Sequence, residues 1–311
     1  MSCGFESRSV KYRSSSNGKT KFHFFKGYRM SENLSLTVVE RNDFLVLQEG
    51  SYAAEALAEN MDGGGFSEQD LIQVKTPSGG GSYWEVAGPS GIKAEAFIEG
   101  VIVFKCLKGI LWPSENMSDD IPVLTSDDMK VAMLRIPFDD VPEDMQLVLI
   151  DHELTEEEIR TDPKYAKTSA ESLPRLFWWD GPNKLPYCEY GSSTKVDAKG
   201  VASKGKRAKD KQVLFVLQKN SALPLRIELG PTSIKPVRTF MMQNADLPYY
   251  RFMTKIGLKK IEGTNPYSVA TLQRTEVLSP EAGDMLKARY TDVIKSAHEA
   301  GKLNMVTADQ E

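Results

Sequence analysis

The sequence predicts an α+β protein that is β-rich, with an OB-like barrel core, added helices and a C-terminal helix. Three observations carry that expectation. The run from Lys93 to Trp112 is the longest strand-like stretch and holds Gly100 at its middle. Alternating segments at Val213–Gln218, Leu223–Leu229, Tyr249–Ile261 and Tyr267–Leu278 follow one another across short turns. Finally, Ser279-Pro280-Glu281 opens the clearest helix of the chain, with Gly301 as its stop after Ala300.

Each element has a local reason. Alanines dominate from Tyr52 to Met61, which favours a helix that Gly63-Gly64-Gly65 ends. Tyr83-Trp84-Glu85-Val86 begins the β-rich part. Within 93–112, Ala94, Ala96, Ile98, Ile102, Phe104 and Cys106 fall on one face, and Glu95, Phe97, Glu99, Val101, Val103 and Lys105 on the other. A bulge at Gly100 would bend such a strand sharply, which suits a small closed barrel better than a flat sheet. Thr155 caps a short helix through Glu156, Glu157, Glu158 and Ile159. Residues 163–175 read as polar linker. Ser233 is the expected N-cap of a helix to about Ala245, with Pro236 in its first turn.

The chain has 311 residues with globular proportions, 41% hydrophobic and 26% charged. Neither a membrane-length apolar run nor an apolar signal core is present, so the cytosol is the expected compartment. Cys3, Cys106 and Cys188 are too far apart for a zinc knuckle and odd in number for a disulfide framework. The net charge of −4 conceals an uneven distribution. Residues 115–162 carry 15 acidic groups against Lys130, Arg135 and Arg160, a local net of −12. The rest of the chain is therefore +8. Binding responds to the local field, not to the total.

The densest chemical signal is the loop from Lys195 to Lys211. It holds Lys195, Lys199, Lys204, Lys206, Arg207, Lys209 and Lys211 against Asp197 and Asp210. Phe177, Trp178, Trp179, Tyr187 and Tyr190 precede it, and the apolar run 213–217 follows. Cations meet phosphates and rings stack on bases, so this pairing suits a single-stranded nucleic acid. Adjacent residues on a strand face opposite ways, so one of Trp178 and Trp179 can be core while the other meets a ligand. The same logic applies to Tyr249-Tyr250-Arg251, and Lys235 and Arg238 add positive charge. The plain alternative is a solvated surface loop with no ligand.

Enzymatic constellations are few. His152 lies in Asp151-His152-Glu153 without HExxH spacing, His23 lies in the tail and His298 on the last helix. Asp119-Asp120, Asp127-Asp128 and Asp139-Asp140 are carboxylate pairs able to hold Mg²⁺, though such pairs also make solvated turns. No catalytic residue, metal or cofactor is assigned. A Mg-dependent nucleic-acid enzyme using carboxylates in 119–162, and a virion or host-interaction protein that binds no nucleic acid, remain the alternatives.

Several strings resemble those of a family of phage and integrative-element proteins. They include Tyr83-Trp84-Glu85-Val86, Glu99-Gly100-Val101-Ile102-Val103, Pro122-Val123-Leu124 and Leu185-Pro186-Tyr187-Cys188-Glu189-Tyr190-Gly191-Ser192. Gly205-Lys206 with Lys209, Leu223-Pro224-Leu225, Pro231-Thr232-Ser233-Ile234-Lys235-Pro236-Val237 and Pro248-Tyr249-Tyr250 add to them. The resemblance spans about residues 34–290 and implies an OB-like, single-stranded DNA-binding role in replication or recombination. Some relatives carry a zinc-type cysteine cluster where this chain has Cys188 alone, so that metal site does not carry over.

The combined expectation is a basic tail at 1–29 (or an over-extended start before Met30), one domain at 30–300 and a short tail at 301–311. The domain carries an acidic insertion at 115–162 and the basic loop at 195–211. Trp178, Trp179, Tyr187, Tyr190, Lys204, Lys206, Arg207, Lys209, Lys211, Lys235, Arg238, Tyr250 and Arg251 are the candidate DNA contacts. Single-stranded DNA and replication or recombination proteins are the expected partners, in the host cytoplasm, with no membrane association. The loop is expected to order only on DNA.

Overall fold

The fold is that of a computed structural model, which describes residue 44 and residues 71–77, 79–88, 91–115, 121–196, 200–219, 221–263 and 266–307. The tail at 1–29, the alanine-rich segment at 52–61, the first glycine triplet, Asp119-Asp120 and the loop residues 197–199 lie outside them.

The elements in chain order begin with β1 (Gln73–Lys75), β2 (Trp84–Gly88), β3 (Gly91–Glu95) and β4 (Phe97–Leu111). The acidic segment and its continuation supply β5 (Leu124–Ser126), β6 (Val131–Leu134), α1 (Glu143–Ile150), α2 (Glu156–Arg160) and β7 (Leu176–Trp178). After the basic loop come β8 (Lys209–Leu217), β9 (Leu225–Leu229), α3 (Pro231–Gln243), β10 (Phe252–Ile261), β11 (Tyr267–Val277) and α4 (Pro280–Thr307). The chain is thus α+β and strand-rich.

Among the described residues, nine strands form one mixed sheet built on β4. One edge of β4 pairs with β8 from Val101 to Ile110. Its other edge is shared, with β10 on Phe97–Val101 and β5 on Gly109–Leu111. The sheet therefore forks. One branch is the β10–β11 hairpin, and the other runs β5–β6–β7. On the far side β8 leads to β9 and then to β1, which pairs with β9 in parallel.

This open, forked sheet corrects the expected barrel. The two branches leave β4 without pairing to one another, so the sheet ends on β1, β7 and β11 among the described residues. The long strand is indeed bulged, but between Ile102 and Phe104. Gly100 serves close approach instead, since a Cβ there would lie 2.4 Å from the Leu217 carbonyl oxygen. The bulge also reverses the expected facing. Past it, Phe104 and Cys106 join Val101 and Val103 on one face. The strand expected from Lys93 breaks at Ala96 into β3 and β4.

Helices cover both faces. On one, Leu286, Tyr290 and Ile294 of α4 bury Val101, Val103, Val213, Phe215 and Leu217. On the other, Val237 of α3 and Trp84 of the β2–β3 ribbon bury Ile98, Ile102, Leu214, Val216 and Ile227. Trp84 is fully buried and its indole N–H donates to the Ile256 carbonyl at 3.0 Å, so the ring packs without leaving a polar atom unpaired. A third core joins α1 to the β5–β7 branch through Met145, Leu149, Leu124, Ala132, Phe177 and Trp179. The acidic segment is accordingly woven into the sheet.

Local chemistry explains the helix ends. Thr155 and Glu158 form a reciprocal capping box at α2. Helix α3 starts earlier than the Ser233 cap predicts, with Gly230 at N-cap and Pro231 at the first turn. The Ser233 hydroxyl is instead buried and accepts the Ala270 amide at 2.9 Å, tying α3 to β11. Tyr249–Arg251 form a 3-10 turn before β10 rather than its first residues. Helix α4 passes Gly301, because a glycine in a helix weakens it without forcing a stop.

Candidate nucleic-acid interface

The described residues of the basic loop pair as a hairpin on either side of residues 197–199. The Gly191 and Ser193 amides donate to the Gly205 carbonyl, and Ser203 donates to the Lys195 carbonyl at 2.7 Å. Val196 bridges Ala202. The Ala208 amide closes the base on the Tyr187 carbonyl at 2.9 Å. Backbone donors of these residues find acceptors within the hairpin.

Glu115, just beyond β4, clamps the hairpin. Its carboxylate accepts the Ser193 hydroxyl at 2.6 Å, the Thr194 amide at 2.5 Å and the Thr194 hydroxyl at 3.2 Å. Burial pushes this carboxyl up, but those hydrogen bonds and the Lys209 ammonium outweigh it and leave its pKa below the ordinary value. A cleft of about 510 Å³ opens beside this contact, lined by Pro113, Glu115, Asp144, Thr194, Lys195 and Arg207. Acidic and basic walls thus face the same space.

Most of the loop's cations already have protein partners. Lys206 pairs with Asp210 at 3.0 Å. Burial pulls its ammonium pKa down, yet Asp210 lifts it above the usual value. Lys211 pairs with Glu228 at 3.0 Å and lies 5.2 Å from the Trp112 ring centroid. Arg207 donates to the Pro113 carbonyl at 2.9 Å and stands 4.9 Å over Tyr187. Lys209 donates to the Lys206 carbonyl, and burial with Lys195 nearby holds its pKa down despite Glu115. Lys195 and Lys204 remain exposed.

The aromatic residues divide the same way. Tyr190 is 83% exposed, with the Lys206 ammonium 5.1 Å from its ring centroid. Tyr187 is half-buried beneath Arg207. Trp178 is half-buried against Leu154, Ile159 and Leu176. Trp179 is buried in the core and offers no face to a ligand, which corrects its place among the stacking candidates.

The remaining candidates sit elsewhere. Lys235 and Arg238 are exposed on α3. Tyr250 packs against the α4 core, edge-to-face with Tyr249. Arg251 forms a two-pronged ion pair with Asp284 at 3.0 and 2.5 Å. The structure therefore gathers Tyr187, Tyr190, Lys204, Lys206, Arg207, Lys209 and Lys211 around the hairpin and leaves Lys235, Arg238, Tyr250 and Arg251 on other elements. Glu115, Asp144, Ser193 and Thr194 are site residues that the sequence reading missed. No local spacing connects residue 115 with residue 193, and only the β4–β8 pairing does.

Several of the enzymatic candidates have structural employment. Asp127 meets Lys108 at 3.2 Å, and Asp128 accepts the Lys130 and Val131 amides in a turn. Glu153 holds Arg175. His152 contacts the Val148 carbonyl through Nδ1 at 2.8 Å. Burial pushes the Cys188 thiol up to about 12, so it holds its proton at neutral pH. No helix among the described residues is long and apolar enough to cross a membrane, and no three His, Cys, Asp or Glu among them converge on a metal-sized site. Scans against family models, curated proteins and solved structures return no match for this chain.

Proposed function

We propose that this chain binds single-stranded DNA through the 191–205 hairpin and its cleft, without enzymatic turnover, in replication or recombination of a phage or mobile element. One observation carries the reading. Tyr190 presents an open ring beside Lys206, on the same hairpin as the exposed Lys195 and Lys204. A base stacked on such a ring contributes on the order of 1–3 kcal/mol, while neighbouring ammonium groups take up phosphates. The resemblance to phage and integrative-element proteins supports the same role. The likeness to OB proteins is confined to one long, bulged strand that serves two ladders. Replication or recombination proteins are the protein partners this role implies, in the host cytoplasm.

Because Lys206, Lys209, Arg207 and Lys211 are engaged internally, few cations are available for phosphates. With two or three contacts the log–log salt slope is expected near −1.4 to −2, at about −0.7 per phosphate on a single strand. Fluorescence anisotropy with a labelled single strand and a matched duplex, across a salt series, tests this. Preference for the single strand with a shallow negative slope supports the proposal. Absent or salt-insensitive binding overturns it.

A further inference from the structure

From the fork in the sheet we infer that the notch between its branches, lined by Lys287, Lys105 and Tyr249, is a binding site for a phosphate group. This site is separate from the hairpin and does not rest on the DNA-binding reading.

The notch arises from topology. Strand β10 leaves β4 at Val101 and β5 joins it at Gly109, so residues 102–108 of that edge have no strand partner among the described residues. Helix α4 crosses beside the gap and turns Lys287 into it. The Lys287 ammonium donates to the Val103 carbonyl at 3.2 Å and to the Tyr249 hydroxyl at 2.8 Å. It lies 4.9 Å from the Phe104 ring centroid and 5.3 Å from that of Tyr249. The Lys105 ammonium stands 5.4 Å from the same Tyr249 ring. An ammonium has three N–H groups, and these two acceptors leave one unassigned.

The charge balance of this cluster differs from that of several other buried or half-buried cations, which meet carboxylates: Lys108 with Asp127, Lys206 with Asp210, Lys211 with Glu228 and Arg226 with Glu228. Among the described residues, the charged groups that shift Lys287 are Lys105 and Lys295, both cations. Burial lowers its pKa first, and those two lysines lower it further. One helical turn on, the Thr291 hydroxyl is buried with no partner among the described residues. A half-buried ammonium whose charged neighbours are themselves cations opposes folding, and an anion that joins it offsets that cost. A phosphate group supplies the charge and several acceptor oxygens, for the third Lys287 proton and for Lys105.

The test uses the full chain with ¹³C-labelled lysine. Inorganic phosphate is titrated at constant ionic strength while the Lys287 Cε signal, assigned with Lys287→Gln, is followed. A saturable shift with a Kd of about 1 mM is the expected scale for a small exposed anion site. The Lys287 pKa should rise on saturation. Lys105→Gln removes one charged donor from an exposed side chain and should weaken binding about tenfold. A shift that does not saturate, or that chloride reproduces, overturns the inference. So does unaltered binding in Lys105→Gln together with an unmoved Lys287 pKa. A short single-stranded oligonucleotide, run as a second arm on a Lys195→Ala, Lys204→Ala background, separates a phosphodiester source from free phosphate. Phosphate binding at the notch, with no oligonucleotide binding by the parent chain, would leave this inference standing while the proposed function fell.

Discussion

The Trp179 indole lies so close to Gly109 that a Cβ on that glycine would sit 2.2 Å from the ring. Residue 109 belongs to β4, where it faces Ser126 on one side and Asp210 on the other. Because Trp179 is packed against Leu111, Leu124 and Leu185, it has nowhere to move. Gly109→Ala is therefore expected to destabilise the fold by at least about 1–3 kcal/mol, the usual range for overpacking. Urea unfolding measures this, and a midpoint equal to that of the parent would show that the contact relaxes freely.

Tyr190 and Trp179 give opposite expectations although both precede the same loop. Tyr190 is 83% exposed, so Tyr190→Ala should leave thermal stability unchanged. It should weaken single-strand binding by the 1–3 kcal/mol of one stacked base, roughly 5- to 150-fold. Trp179→Ala should cost about 3–5 kcal/mol of stability through cavity formation. Paired anisotropy and melting measurements check both. If Tyr190→Ala binds like the parent, the stacking platform is elsewhere.

What was legible in the sequence was local. Thr155 with Glu158, the β10–β11 hairpin and the start of α4 depend on residues a few positions apart, and their signals are strong. The open sheet was not legible. Whether β4 closes a barrel depends on which strands meet its two edges, and those come from residues 124–126, 209–217 and 252–261. The lysine loop was legible as charge but not as availability. Glu228, 17 residues after Lys211, becomes its partner only through the β8–β9 ladder. Glu115 reaches Thr194 across 79 positions.

Glu115 places a negative charge where a phosphate would approach Lys195 and Arg207. Its folded pKa lies below the ordinary value of 4.5, so its hold on Ser193 and Thr194 is complete above that value. The hold is lost as pH falls through the folded pKa. Glu115→Gln keeps an oxygen for the hydroxyls and removes the charge. A unit charge at close range in water is worth about 1 kcal/mol, so single-strand affinity should rise about fivefold at pH 7. The parent should close that gap as its carboxyl is protonated. Titrating affinity from pH 7 to pH 3 in both proteins, so that the range passes well below the ordinary carboxyl value, is the check. Equal affinities with parallel profiles would show that Glu115 does not compete with the ligand.

Lys287 should give the unliganded protein a stability that rises with pH in the alkaline range. Its folded pKa is depressed by burial, then by Lys105 of β4 and Lys295 of α4. The phenol of Tyr249, which faces it from the 3-10 turn, has its own pKa raised by burial and Tyr250. Between the folded Lys287 value and the unfolded value of about 10.4, the unfolded chain binds more protons, so raising the pH favours folding. The contribution saturates above the unfolded value, and below the folded value the charge opposes folding by a constant amount. Comparing urea midpoints of the parent and Lys287→Gln from pH 8 to pH 10.5, without phosphate, isolates this group from the other lysines and tyrosines. The parent should gain on the variant as pH rises, and saturating phosphate should shrink that gain by raising the folded pKa. Parallel curves in both media would mean that the notch neither strains the ammonium nor receives the anion.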